Sequence, residues 1–321
     1  MTGPTTLRGG VDVGGTKIQA VITGRGGKVV GDARRNTPRD SDAAQVTEDI
    51  ALTVTEAATS AGLRVRELVS VGVGVPGSID PDTGTVLKAA NIDGWGEPYA
   101  VGPALAARLG VPVGIGNDVT VAVEAERRLG AGRGVRSFLG VFWGTGIGGG
   151  LVVDGRQLEG RGSAGELGHV CVKPGGRRCA CGLRGCVEAY AGRGSLEQRA
   201  KRESRKRKTV LFELAKRRER DTLTSGIWIR ALEADDAVAH KLIDEAVAAL
   251  GVAIGSAVNL LDVELVVLGG GLGERLGPKW LARLEKAAAG HTFFSPPPRY
   301  ALATLGDQGG AIGASFLKPL T

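Results

Sequence analysis

Several features that would assign this chain to a familiar class are missing from it. The 321 residues contain no uninterrupted apolar run of the roughly 20 residues that a membrane-spanning helix requires. The opening MTGPTTLRGG has no apolar stretch resembling a signal peptide. No G-x-x-x-x-G-K-[ST] motif is present, and GVDVGG does not match the dinucleotide-binding pattern G-x-G-x-x-G. These absences predict a cytoplasmic protein that has no membrane partner.

Cysteine is scarce and confined to one place. All 4 cysteines lie within GELGHVCVKPGGRRCACGLRGCVEAYAG. In a cytoplasmic protein, clustered cysteines bind metal more often than they form disulfides. Cys179, Cys181 and Cys186, with His169, supply three thiolates and an imidazole, which is a tetrahedral zinc set, and Cys171 is a fifth candidate. The spacing differs from that of a nucleic-acid zinc finger. Disulfides or free thiols are the alternatives to a structural zinc site.

The positive charge is also concentrated in one stretch. The net charge is +7, and much of the excess lies in QRAKRESRKRKTVLFELAKRRER, residues 198–220. This run has almost no aromatic residues on which bases could stack, which argues against binding of single-stranded nucleic acid. A solvated helix face or a mobile loop is one interpretation, and a site for polyanions is the other. Nucleic acid is therefore not an expected partner.

Glycine, by contrast, is abundant, with 53 residues clustered at the ends of short apolar runs. The pattern strand, Gly-Thr turn, strand occurs near the N-terminus and again near residue 143, and each occurrence is followed by helices and strands. Residues 235–261 form a long amphipathic helix in this scheme. The repeat predicts a duplicated α/β domain with a cleft between the copies. We expect an N-terminal domain of residues 1–117 plus 307–321, and a C-terminal domain of residues 118–306.

Three glycine loops are candidates for binding phosphate or nucleoside. DVGGTK and WGTGIGGG combine small residues, which let backbone N–H groups approach an anion, with a threonine hydroxyl. A type I′ hairpin turn would explain the first set of glycines equally well. VVLGGGLGE follows a strand and fits a base or ribose. The predicted contacts are Asp12, Gly14, Gly15, Thr16, Lys17, Thr145, Gly146, Gly269, Gly270 and Gly271.

A fourth candidate site ends a strand in the sequence GIGNDV. Asn117 and Asp118 come directly before a helix, at the edge where α/β proteins bind ligands. A carboxylate there can accept a proton from a substrate hydroxyl. The alternative is that these residues only cap the helix.

Taken together, these motifs resemble the ROK family, the sugar kinases and related repressors of the actin-like ATPase (ribonuclease H-like) superfamily, and within it the bacterial glucokinases. The resemblance covers nearly the whole chain. CACGLRGCVE is similar to the family signature C-x-C-G-x-x-G-C-x-E, and DVGGTK, GTGIGGGL, GELGH and VVLGGG resemble its phosphate, sugar and adenosine motifs. VPG and NIDGW resemble its sugar-side loops.

The resemblance implies a set of roles. Asp118 would be the general base that takes a proton from the sugar 6-hydroxyl, and Asp12 would help to place Mg²⁺. ATP would be the phosphoryl donor, with Thr16 and Thr145 holding its phosphates. His169 would serve both zinc and sugar. The implied sugar contacts are Gly77, Asn91, Asn117, Asp118, Glu166, His169 and Glu188.

The expected function is therefore phosphorylation of a hexose, with glucose favoured, by a homodimer or homotetramer. N-acetylmannosamine, N-acetylglucosamine, mannose and fructose are alternative substrates, and polyphosphate is an alternative donor. A sugar-responsive regulator is disfavoured, because the first phosphate motif begins by residue 12 and leaves no room for a preceding DNA-binding domain. The chain departs from the family pattern N-D-A-N at Val119 and Thr120, which could alter the helix or the approach of phosphate.

Overall fold

The computed structural model describes residues 6–38, 41–89, 95, 97–293 and 296–320. Within these ranges the chain divides into two compact units. Unit 1 comprises residues 1–134, 159–164 and 307–321, and unit 2 comprises residues 135–158 and 165–306. The dividing point therefore lies at 134/135 rather than at the expected 117/118.

Unit 1 is built on a five-stranded sheet with helices packed on it. Its strands are Arg8–Val13 (β1), Lys17–Thr23 (β2), Val29–Asn36 (β3), Ser70–Val75 (β4), Gly77–Asp80 (β5), Thr85–Ala89 (β6) and Val113–Asn117 (β7). Its helices are Ala43–Ser60 (α1), Val101–Leu109 (α2), Asp118–Leu129 (α3) and Gly309–Ala314 (α10). The sheet order is β3-β2-β1-β4-β7, and β5 and β6 form a separate hairpin. The buried core joins the sheet to α1 and α2.

Unit 2 contains a second five-stranded sheet. Its strands are Phe138–Trp143 (β8), Ile147–Val153 (β9), Arg156–Gln157 (β10), Leu265–Gly269 (β11) and Arg299–Leu302 (β12). Its helices are Glu188–Ala191 (α4), Arg193–Glu203 (α5), Leu211–Arg217 (α6), Ser225–Glu233 (α7), Ala237–Leu261 (α8) and Gly273–Ala289 (α9). The sheet order is β10-β9-β8-β11-β12.

The two sheets have equivalent topology. In unit 1, β1 pairs antiparallel with β2 and parallel with β4, and in unit 2, β8 pairs antiparallel with β9 and parallel with β11. Each sheet thus begins with a hairpin and continues with parallel strands, whose crossover connections carry helices. The predicted duplication of an α/β domain is confirmed.

The packing of the C-terminal segment explains why the boundary between the units lies at 134/135 rather than at 117/118. Helix α10 packs against β1, β4 and α3 in unit 1, and the approach is so close that a Cβ atom at Gly72 would overlap the carbonyl oxygen of Ala314. Gly313 is equally restricted, because its Cβ would overlap the carbonyl oxygen of Val121 in α3. Helix α3 is therefore held in unit 1 by α10, and residues 118–134 belong with the first sheet.

The basic stretch forms helices with an apolar side. Leu196, Ala200, Leu211 and Ala215 of α5 and α6 are buried in the core of unit 2, whereas most of the lysines and arginines of residues 201–220 are exposed. Trp228 of α7 is completely buried in the same core. These helices support the interpretation of this run as a solvated helix face.

One helix in the described residues is long and apolar enough to cross a membrane by length and composition alone. This is α8, and 61% of its most apolar window is buried. Most of that surface packs into the core of unit 2, as expected for the central helix of a globular domain.

Candidate functional site

Two carboxylates lie close together at one edge of the unit 1 sheet. Asp12 is on β1, where its backbone pairs with Gly74 of β4, and Asp118 is the first residue of α3. The Cα atom of Asp118 is 3.5 Å from the position that a Cβ atom of Gly74 would occupy, so the absence of a side chain there lets α3 approach the strand. This arrangement places both acids where parallel strands end, which is the usual ligand-binding edge of α/β folds.

The two carboxylates affect each other electrostatically. Burial, followed by the negative charge of Asp118, raises the pKa of Asp12 to about 7, while the charge of Lys17 lowers it. Lys17 is partly neutralised by Asp307, whose Oδ1 lies 3.6 Å from Nζ. Asp12 therefore keeps its proton to a higher pH than an ordinary carboxyl group does, and a bound cation would favour its ionised form. A carboxylate oxygen such as that of Asp12 is a ligand that suits Mg²⁺.

Asn117 caps the helix that carries Asp118. Its Oδ1 accepts hydrogen bonds from the backbone N–H groups of Val119 at 2.9 Å and Thr120 at 3.2 Å, and its Nδ2 donates to the carbonyl oxygen of Gly77 at 3.2 Å. Of Asn117 and Asp118, it is therefore Asn117 that caps the helix. Asn117 and Gly77, both predicted sugar contacts, are joined directly. Asn91, a third predicted contact, lies outside the described residues.

The first glycine turn is tied to its neighbour strand. The N–H of Gly14 donates to the carbonyl oxygen of Lys17 at 2.8 Å, and the hydroxyl of Thr37 donates to the carbonyl oxygen of Gly14 at 2.5 Å. Gly15 and Thr16 at the tip are exposed. The predicted phosphate contacts therefore lie on a fixed turn. Thr37 helps to fix this turn, although no sequence motif indicates that role.

In unit 2, four metal-binding side chains converge. The ligand atoms of His169, Cys179, Cys181 and Cys186 all lie within 4.8 Å of one another. The Sγ atoms of Cys181 and Cys186 are 3.8 Å apart, and Sγ of Cys179 is 3.9 Å from Nδ1 of His169. Ligands about 2.3 Å from a tetrahedral zinc ion are separated by about 3.8 Å, so the residues fit this metal. Burial raises the pKa of the Cys186 thiol to about 12, so a thiolate there needs a compensating cation.

The imidazole of His169 faces two ways. Its Nδ1 points toward the cysteines, while its Nε2 is 3.9 Å from Oε2 of Glu166, and the side chain is 37% exposed. The 3₁₀ turn Leu167–His169 puts Glu166 and His169 on the same side, because they are three residues apart. A histidine held in this way can bind metal through one nitrogen and a hydroxyl group through the other.

Glu188 connects the cysteine cluster to the second glycine turn. Its Oε2 accepts a hydrogen bond from the N–H of Ile147 at 2.9 Å, and its Oε1 lies 3.9 Å from Sγ of Cys179. The turn itself is closed by the N–H of Gly144, which donates to the carbonyl oxygen of Gly146 at 3.0 Å. The structure thus brings together the predicted metal, sugar and phosphate residues of unit 2.

The third glycine loop follows β11 at the same edge of the sheet as the second turn. The N–H of Leu272 donates to the carbonyl oxygen of Trp143 at 2.9 Å, and Glu274 accepts from the N–H of Gly270 at 3.1 Å. Gly270 has a φ of 83°, which favours glycine. The loop Gly269–Gly271 therefore lies directly beside the end of β8.

Arg193 lies at this edge although it belongs to none of the predicted motifs. Arg193, the first residue of α5, donates to the hydroxyl of Thr145 at 2.8 Å and contacts the hydroxyl of Ser225 at 3.5 Å. Arg193 and Thr145 are 48 positions apart, so no local pattern indicates the contact.

This fold defines a class of proteins with two α/β units whose sheets have equivalent topology. Each sheet begins with a hairpin around a Gly-Thr turn. The sequence profile of the ROK family matches residues 8–319. The chain belongs to the ROK family, and the expected actin-like fold class is confirmed.

Three relatives of known name cover between 82% and 96% of the chain. A glucokinase from Halalkalibacterium halodurans is 32% identical over 96% of this chain and 93% of its own length. A glucokinase from Thermotoga maritima is 35% identical over 82% of this chain and 81% of its own length. An N-acetyl-D-glucosamine kinase from Erwinia tasmaniensis is 32% identical over 96% of this chain and 98% of its own length.

Solved structures agree with this assignment. A ROK family glucokinase from Streptomyces griseus, in complex with glucose and AMPPNP, superimposes with a TM-score of 0.81 at 30% identity, covering 96% of this chain and 98% of that one. A ROK hexokinase from Thermus thermophilus gives a TM-score of 0.77 at 32% identity, covering 96% of both chains.

Proposed function

We propose that this protein transfers the γ-phosphoryl group of ATP to the 6-hydroxyl group of a hexose, with glucose as the favoured substrate. The observation that carries the proposal is the acid pair at the edge of the unit 1 sheet, where Asp118 begins a capped helix beside Asp12. Two relatives named glucokinase, which are similar over 96% and 82% of the chain, support the choice of reaction and sugar.

In this proposal Asp118 accepts the proton of the 6-hydroxyl group as the oxygen attacks the γ-phosphorus. The new O–P bond forms in line with the bond that breaks, and ADP leaves with the electron pair of that bond. Asp118 is suited to the role because Asn117 fixes the helix that carries it. Asp12 would hold Mg²⁺, which supplies positive charge to the phosphates. The two glycine turns, with Thr16 and Thr145, would hold the phosphate chain, and Gly269–Gly271 the adenosine.

We assign recognition of the sugar to Glu166, His169 and Glu188 in unit 2, with Asn91 and the loop at Gly77 in unit 1. Carboxylates and an imidazole that hydrogen-bond hydroxyl groups reject analogues without those groups, since unpaired polar atoms are costly. Zinc at His169, Cys179, Cys181 and Cys186 would fix the His169 ring and the loop that carries it.

The closest competing substrates are N-acetylhexosamines, because the N-acetyl-D-glucosamine kinase of Erwinia tasmaniensis covers as much of this chain as the glucokinase of Halalkalibacterium halodurans. A coupled assay with Mg-ATP and a panel of glucose, mannose, fructose, N-acetylglucosamine and N-acetylmannosamine distinguishes them. The highest kcat/KM should be that for glucose. Parallel assays with polyphosphate should show ATP to be the better donor. We expect the active species to be a cytoplasmic homodimer or homotetramer, which light scattering after size exclusion would measure.

Replacing Asp118 tests the mechanism directly. Asp118→Asn should lower kcat about 10²- to 10⁴-fold, because the general base is lost, while the dissociation constant for glucose changes little. Asp32→Asn is the matched control, since Asp32 is exposed on β3. Turnover by Asp118→Asn within tenfold of the parent protein would remove Asp118 from the mechanism.

A further inference from the structure

Four separate segments meet around one guanidinium group in unit 2. The turn between β8 and β9 contributes Thr145, α5 contributes Arg193, α7 contributes Ser225, and the loop after β11 contributes Gly271. Arg193 donates to the Thr145 hydroxyl at 2.8 Å and to the Ser225 hydroxyl at 3.5 Å. The Ser225 hydroxyl in turn lies 3.7 Å from the position that a Cβ atom of Gly271 would occupy. Arg193 thus links the second glycine turn to the third.

The guanidinium of Arg193 is influenced by the charge of Glu197 but forms no ion pair with it. In the described part of the chain its side-chain partners are hydroxyl groups, and no carboxylate forms an ion pair with it. Glu197, whose charge favours the protonated form of Arg193, is already occupied: it forms an ion pair with Lys201 at 2.9 Å and accepts the N–H of Leu223 at 2.9 Å. Burial lowers the pKa of Arg193, although an arginine stays charged at any physiological pH.

The first two backbone N–H groups of α5 donate hydrogen bonds to the second glycine turn. The N–H of Arg193 donates to the carbonyl oxygen of Gly144 at 3.2 Å, and the N–H of Gly194 donates to that of Thr145 at 3.0 Å. These first N–H groups are therefore not directed at a ligand. The guanidinium has five N–H donors, of which the two hydroxyl contacts use only part.

A partly buried cation that forms no ion pair within the described residues is costly unless a bound anion compensates its charge. Among ligands, a polyphosphate chain carries oxygen acceptors in the fork geometry that arginine binds in bidentate fashion. Two glycine turns and two hydroxyls beside the cation suit the same ligand chemistry. We infer that Arg193 is a binding residue for the β- or γ-phosphate of the nucleotide donor, held in place by Thr145 and Ser225. This inference rests on the proposed function and assigns a residue to it.

Nucleotides with different numbers of phosphates provide the test. Adenosine, AMP, ADP and ATP are titrated calorimetrically, with Mg²⁺ and glucose present for the first three and with Mg²⁺ alone for ATP, against the parent protein and Arg193→Gln. The variant should bind ADP and ATP about tenfold or more weakly, because a charge-assisted bidentate contact is lost, and should bind adenosine with less than about a twofold change.

Arg202→Gln is the matched control, because Arg202 is exposed on the same helix and its loss changes the net charge equally. It should bind all four ligands as the parent does. Arg193→Lys should recover part of the ATP affinity, since it restores the charge but not the planar fork. In steady-state assays Arg193→Gln should raise KM for ATP and leave KM for glucose nearly unchanged.

The outcomes separate this inference from the proposed function. If Arg193→Gln weakens adenosine and ATP equally, Arg193 only shapes the turn and the inference fails, while the kinase proposal stands. If ATP affinity does not change, the inference fails in the same way. If the parent protein binds none of the four ligands and phosphorylates no sugar, the proposed function and the inference fail together.

Discussion

The surroundings of Asp12 make the ionisation of its carboxyl group unfavourable in the folded protein. Burial and the charge of Asp118 raise the pKa of Asp12 from 3.8 to about 7. Unfolding would return it to an ordinary value, so the native state binds more protons than the unfolded state between pH 4 and 7. For this group alone, stability therefore falls as the pH rises through that window and stays low above it.

Replacing Asp12 with asparagine should consequently stabilise the protein. Without divalent cations or nucleotide, Asp12→Asn should raise Tm by about several degrees at pH 8, and by less than half as much at pH 5, where the native Asp12 is protonated. Scanning calorimetry at both pH values measures this. If the Tm difference between the variant and the parent protein does not depend on pH, ionisation of Asp12 does not destabilise the folded protein. The same variant should lose activity if Asp12 holds Mg²⁺.

At the scale of elements, the cysteine segment is a loop whose geometry depends on four side chains. Cys179 and Cys181 lie on one tight turn, and the chain returns to bring Cys186 beside them, with the N–H of Cys179 donating to the carbonyl oxygen of Leu183 at 2.8 Å. Glu188 follows two residues later and holds the second glycine turn. If this loop binds a metal, loss of the metal should therefore disturb both the proposed sugar contacts and the second glycine turn.

The zinc proposal predicts a specific difference between two exposed cysteines. The parent protein should contain about one zinc per chain by elemental analysis, and Cys181→Ser should lose most of it, with a lower Tm and a raised KM for glucose. Cys171→Ser should retain both metal and activity, because Cys171 is outside the set of four converging ligands. Equal zinc content in the two variants would contradict this ligand set.

Local patterns in the sequence predict these loops well, and tertiary packing accounts for what they miss. The glycine turns, the Cys-His set and the repeated hairpin depend on residues near one another in the chain, so composition and spacing indicate them. The contact of Arg193 with Thr145 depends on how α5 returns to β8, and the basic run of residues 198–220 shows its buried apolar side only in the folded helices. Likewise, nothing local in α3 indicates that α10 packs against it.

At the scale of the whole molecule, unit 1 is assembled from distant parts of the chain. Residues 307–321 join residues 1–134, and α10 packs on β1, β4 and α3 through positions that only glycine can occupy. The stability of unit 1 therefore depends on a helix of only 6 residues, Gly309–Ala314.

A single added methyl group should reveal this dependence. Gly313→Ala should cost unit 1 about 1–3 kcal/mol or more, because its Cβ meets the backbone of α3 rather than a side chain that can move. Hydrogen exchange should show lost protection in residues 8–129 and little change in residues 138–302. Gly226→Ala is the control, since a Cβ there meets nothing within 4 Å and alanine favours helix. Uniform loss of protection in both units would contradict the assignment of α10 to unit 1.

The return of α10 also sets an order of events during synthesis. Domains generally fold from the N-terminus as they leave the ribosome. Here one face of the first sheet, at Gly10, Gly72 and Gly114, is covered by residues 307–321. These residues are synthesised after all of unit 2. Although unit 2 lies later in the chain, it is the first unit whose residues are all present. A nascent chain stopped before α10 carries all five strands of the first sheet, but one face of that sheet lacks its covering helix.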